Sequence, residues 1–159
     1  HLLDHCYPAL RHSDYKIEYT IKSYSTPEEI ETIFRTSPHK LSLEEFYVLA
    51  QTYQPASEEF NELFETAVRM YPNDPVANLN AANSAILRKD YRRALRYLEN
   101  AGNLPEAIYA RGALEVFMGD NDAARPYLKE AMKQGIPQAE TALQEIAKNR
   151  FLYKMTINN

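Results

Sequence analysis

The spacing of apolar positions changes near residue 26. Before it, Tyr15, Ile17, Tyr19 and Ile21 alternate with Lys16, Glu18, Thr20 and Lys22, the period of a half-buried strand. A lone strand leaves its backbone groups unpaired, and no second strand pattern follows it. This segment is therefore expected to end the sheet of a preceding domain, or to pair within an assembly.

From Thr26 onward the apolar positions recur at helical spacing. Thr26, Pro27 and Glu29 form a helix start, with Ile30, Ile33 and Phe34 as the apolar face. Ser42 with Glu45 opens a second helix carrying Phe46, Leu49, Ala50 and Tyr53. Ser57 opens a third, with Phe60, Leu63, Phe64, Ala67 and Met70, which stops at Pro72. Asp74 and Pro75 begin a helix through about Leu87, and Tyr91 to Asn100 forms its partner, broken at Gly102. Pro105 begins another, ended by Gly119–Asp120, whose partner over 122–134 ends at Gly135. Pro137 starts a last helix with Ala139, Ala142, Leu143 and Ile146, and Phe151 to Asn159 reads either as its frayed extension or as a short strand.

The helices repeat. Phe60, Phe64 and Ala67 are followed at an offset of 34 by Ala94, Leu98 and Ala101, and Ala124, Leu128 and Ala131 take the same spacing after a shorter step of 30. A period near 34 with small residues at fixed places is the pattern of stacked helix hairpins. Ala81, Ala82 and Ala85, and Gly112 in the next repeat, fall where the two helices of a hairpin approach most closely. Extended backward, the register makes the helix at 27–36 the second half of a degenerate repeat.

Bulk composition narrows the class without naming a function. The 159 residues are 45% apolar and 25% charged, with a net charge of −4. That suits a globular domain and does not favour nucleic acid or an anionic membrane. No apolar run approaches about 18 residues, so no direct membrane insertion is expected, and the single Cys6 excludes an internal disulfide. The chain begins at His1 with no signal-peptide core, so it is expected to be a piece of a longer precursor or an artificially trimmed chain. The organisation expected is a strand or linker over 1–25, a helical repeat domain over 26–150 and a tail over 151–159.

Over roughly residues 39–150 the chain resembles the tetratricopeptide repeat family, most specifically in KDYRRALRYLENA and ARGALEVFMGDNDAARPYLKEAM. The resemblance implies an all-α array of helix hairpins wound as a right-handed superhelix. The family's fourth-position Trp is replaced by Asn78 and Ile108, and its eleventh-position Tyr by Ala85 and Glu115. Together, YPALRHSDYKIEYTI, LSLEEFYVLAQTY and VRMYPNDPVANLNAA look like the C-terminal part of Bacteroidetes envelope proteins, in which an OmpA-like segment precedes such repeats. This implies a periplasmic or outer-membrane-associated setting and accounts for the orphan strand.

In the family's register Tyr53, Leu79, Asn83, Ile86, Tyr109, Val116 and Phe117 line the concave groove, joined by Leu49, Val76, Leu87 and Ala113. That stripe would receive an amphipathic helix or extended peptide, or be covered by the chain's own ends. Asn83 would bond a peptide backbone or a neighbouring helix. The family's clamp for a C-terminal carboxylate needs Lys where Leu79 and Tyr109 stand, so recognition of chaperone tails is not expected. Arg88, Lys89, Arg92, Arg93 and Arg96 read as a solvated convex face; the alternative, a phosphate-rich partner, is disfavoured because no aromatic platform is interleaved with them. His1, Asp4, His5 and Cys6 have metal-ligand chemistry but read as a remnant at a cut end. No GxSxG, phosphate-cradling glycine loop or HExxH occurs. A non-enzymatic protein- or peptide-binding module without cofactor is expected. The alternatives are a structural cap, a homodimer through the N-terminal strand, or a glycan-associated envelope component.

Overall fold

A computed structural model describes residues 26–158, with side-chain surroundings for residues 26–149. The strand expected over Tyr15–Ile21 and the cluster at His1–Cys6 lie outside the described residues. Within them the fold is all-helical, with no strand. The elements are α1 (Pro27–Thr36), a 3-10 turn (Pro38–Lys40), α2 (Leu43–Ala50), α3 (Glu58–Met70), α4 (Pro75–Leu87), α5 (Tyr91–Glu99), α6 (Pro105–Phe117), α7 (Asn121–Lys133) and α8 (Pro137–Asn158).

Local chemistry explains most of these boundaries. The Ser42 hydroxyl accepts from the Glu45 amide at 3.4 Å while the Glu45 carboxylate accepts from the Ser42 amide at 2.9 Å, a complete capping box. Ser57 caps α3 through the Phe60 amide, Asp74 caps α4 through Ala77, and Asp90 and Asp120 do the same for α5 and α7. α4 and α6 end alike. The amide of Asp90 bonds the carbonyl of Ala85 at 2.8 Å, and that of Asp120 bonds Glu115 at 2.9 Å. The residue directly before each following Asp is left-handed: Gly119 at φ 90° and Lys89 at φ 63°. Lys89 therefore holds, at some conformational cost, the backbone that glycine takes in the next hairpin.

One boundary differs from the sequence expectation. α2 ends at Ala50, and Tyr53 lies beyond it in a turn closed by its own amide onto the Ala50 carbonyl at 3.2 Å. α8 runs on to Asn158, so of the two readings of the segment from residue 151 the helical extension is the one found.

Small residues set the packing. α4 and α5 form one hairpin and α6 and α7 another. Ala82, Ala85, Ala94, Leu98 and Ala101 share one buried cluster with Ala107, Ala110 and Leu114 of α6. At Gly112 a Cβ would lie 2.8 Å from Leu128 Cδ2 and 2.9 Å from Leu128 Cγ, so α6 and α7 touch at a separation that only glycine permits. α8 closes the C-terminal end, where Ile136, Ala139, Ala142 and Ile146 pack with Ala124, Leu128, Ala131 and Tyr109. At the other end Phe34, Phe46 and Tyr71 form an edge-to-face aromatic chain, with centroids 6.0 and 6.4 Å apart.

The most enclosed element is α4. Every residue from Ala77 to Ile86 is buried, which accounts for a sequence without a polar stripe. Four of these ten are polar. Asn78 Nδ2 donates to the carbonyls of Pro72 and Asp74, each at 2.9 Å, and Ser84 donates to Asn61 of α3 at 3.2 Å. Asn80 finds no partner for either amide atom among the described residues. Around α4, the acidic ridge of α3 clamps its neighbours: Glu62 to Arg35 and Glu58 to Arg88, both at 2.8 Å, and Glu65 to Arg93. Each such exposed pair contributes at most about 1 kcal/mol.

Candidate functional sites on the helical stack

The residues expected to line an open groove divide into two sets. Leu79 and Ile86 are enclosed in the cluster shared with Ala107, Ala110 and Leu114, and Tyr109 is enclosed in the α6–α8 cluster. Asn83 is only 4% exposed, and Leu49 and Ala113 are buried too. The reason is the closeness of the helices. With alanine on the facing turns, α6 settles onto α4 and covers the longer side chains that the repeat register directs toward a groove.

Tyr53, Val116 and Phe117 are partly exposed. Tyr53 packs beside the α1–α3 cluster with Val76 and Leu87, and its hydroxyl donates to Glu31 Oε1 at 3.2 Å. Burial, with the Glu31 carboxylate beside it, pushes its phenol up to about 12. Phe117 stacks on Tyr91 with centroids 6.3 Å apart and planes 9° from parallel, and Met118 beyond it is exposed. Val116, Phe117, Met118 and Tyr91 thus leave apolar surface at the turn end of the two C-terminal hairpins.

Two clefts lie between successive second helices of the hairpins. The larger, about 400 Å³, separates α3 from α5 and is lined by Glu65, Val68, Arg69, Pro72, Asn78, Arg93, Arg96, Tyr97 and Asn100. The basic residues of the run from Arg88 to Arg96 are all exposed, as expected of a solvated face. Arg93 and Arg96 of that run line the cleft together with Arg69 of α3, a residue far enough away in sequence that no local pattern connects it with them. Tyr97 is half-buried in the cleft wall, and burial first, then the Glu65 charge, raises its phenol, which keeps it neutral. The smaller cleft, about 170 Å³, lies between α5 and α7 and is lined by Leu95, Leu98, Glu99, Arg111, Leu114, Glu115 and Tyr127. There Arg111 is committed to the carbonyls of Leu98 and Gly102 at 2.7 and 2.8 Å.

Among the described residues no group of three metal-ligating side chains occurs, and no helix is long and apolar enough to cross a membrane. Compared with protein-family models, curated proteins and solved structures, the chain matches none.

Proposed function

We propose that this chain is a tetratricopeptide-like array that docks a protein or peptide partner and performs no chemistry of its own. The observation that carries this reading is the apolar patch of Tyr91, Val116, Phe117 and Met118. It stands at the end of two rigid hairpins whose small residues are already spent on internal packing. A preorganised surface of this kind loses little conformational entropy when a partner's apolar side chain settles on it. Leu79, Ile86 and Tyr109 support the patch from beneath as core residues, and Asn83 lies on the same central helix. The setting proposed, from the resemblance to envelope proteins, is periplasmic or outer-membrane-associated.

Val116→Glu combined with Met118→Glu tests the docking role, because both positions retain exposure. Cross-linking in the source cell's envelope fraction, followed by affinity recovery, should yield a defined partner with the parent chain and at least about tenfold less with the double variant, equivalent to about 1.4 kcal/mol. The variant's circular dichroism melt should match the parent's within a few degrees. Equal recovery by both chains would remove the patch from the interface. A chain that is wholly dimeric by solution mass, with no other partner recovered, would favour the structural-cap alternative.

A further inference from the structure

We propose that the cleft between α3 and α5 is a binding site for a small phosphate monoester, distinct from the docking patch. Its lining holds three guanidiniums, Arg69, Arg93 and Arg96, against the single carboxylate of Glu65, an excess of two positive charges in a chain whose net charge is −4. Tyr97, the only other ionisable group in the lining, stays neutral. A phosphate monoester carries close to two negative charges at neutral pH and presents several acceptor oxygens to guanidinium donors.

The guanidiniums are not equally free. Arg93 is held by Glu65, which is only 31% exposed, and by Asp90 at 3.6 Å outside the cleft. Arg69 donates to the Thr66 hydroxyl at 2.8 Å and has no carboxylate partner among the described residues. Arg96 has no ion pair among the described residues. Two cations are thus available to an incoming anion, and the third is fixed in place beside them. Arg69 and Arg96 each lie near the C-terminal end of a helix, where a base is favoured by the exposed carbonyls. That preference explains one base per helix. It does not explain why both line one cavity.

Asn78 closes the floor of the cleft without offering an atom to the ligand: its Nδ2 is committed to the Pro72 and Asp74 carbonyls, and its Oδ1 is buried out of reach of solvent. With the phosphate at Arg69 and Arg96, the Tyr97 ring and Val68 provide apolar walls for a small alcohol part. The α5–α7 cleft is the internal comparison. It lies between the next pair of second helices and shares the repeat positions of Glu65 and Tyr97, as Glu99 and Tyr127, yet its lining has two carboxylates, Glu99 and Glu115, against one committed Arg111. The cationic lining is therefore not a generic product of packing these hairpins.

The test is isothermal titration of the full chain with inorganic phosphate, with glycerol 2-phosphate and with glycerol, at constant ionic strength. Saturable binding of both phosphates is expected, tighter for the ester, with no heat from glycerol. Arg69→Gln and Arg96→Gln should each weaken the ester about tenfold. Arg92→Gln removes the same charge from α5 outside the lining and should leave affinity unchanged, and all three variants should melt with the parent. Matching heats from sodium chloride, undiminished binding in the double variant Arg69→Gln/Arg96→Gln, or an equal loss in Arg92→Gln would each overturn the assignment. So would capture of a phosphoserine peptide with no response to either small phosphate.

Discussion

Asn80 and Tyr53 show how far a residue's surroundings can depart from what its neighbours in sequence suggest. Three asparagines on one helix read as a polar face, yet Asn78, Asn80 and Asn83 are all buried, on different sides of α4. The alternation of asparagine with alanine and leucine is legible. What is not legible is that helices from both directions along the chain close around all of it. Tyr53 shows the converse, since it continues the helical spacing of Phe46, Leu49 and Ala50 but lies past the end of α2, bonded to Glu31. Its raised phenol makes a prediction with a definite sign. The folded chain holds this proton more tightly than the unfolded chain, so the contribution is complete below pH 10 and is lost as pH rises toward about 12. Difference absorbance at alkaline pH between the parent and Tyr53→Phe should show the missing phenol ionising near 12, later than an ordinary tyrosine. Ionisation near 10 would mean that neither the burial of Tyr53 nor its bond to Glu31 persists in solution.

At the scale of the element, helix starts were the most legible feature. Ser42, Ser57 and Asp74 each open a helix as expected by bonding a backbone amide three residues on, and Asp90 and Asp120 make the same bond at the starts of α5 and α7. α6 starts without a side-chain cap, at Leu104, where the proline at 105 marks the start instead. α7 holds a local conflict: Pro126 lies inside the helix, where it can donate no bond to the carbonyl four residues before it and crowds that turn. It persists because Ala124, Leu128 and Ala131 bury the opposite side of the same helix. Pro126 itself is exposed, so Pro126→Ala removes the conflict without opening the core. Urea unfolding should show a gain of roughly 1–3 kcal/mol. A loss would mean that the ring, or the bend it imposes, is needed for α7 to meet α6.

Over the whole molecule, the periodic small residues were legible and their consequence was only half so. Ala82, Ala94 and Gly112 lie in tight helix contacts, as a hairpin register requires. The same closeness buries Leu79, Ile86 and Tyr109, because a register states which way a side chain leaves its helix but not how near the next helix comes. The α3–α5 cleft is not legible in the sequence for a related reason. Arg69 and Arg96 belong to different hairpins, and only stacking brings them into one lining. α4 is the element on which this stacking converges, with α3, α5 and α6 all packed around it.

Native-state hydrogen exchange tests that arrangement most directly. If close approach through small side chains encloses α4, the amides of residues 79–86 should exchange only through global unfolding, more slowly than those of α1. The variant Gly112→Ala, whose new methyl would press on Leu128, should speed them all together. Exchange in α4 as fast as in α1, or a Gly112→Ala effect confined to α6 and α7, would contradict the account.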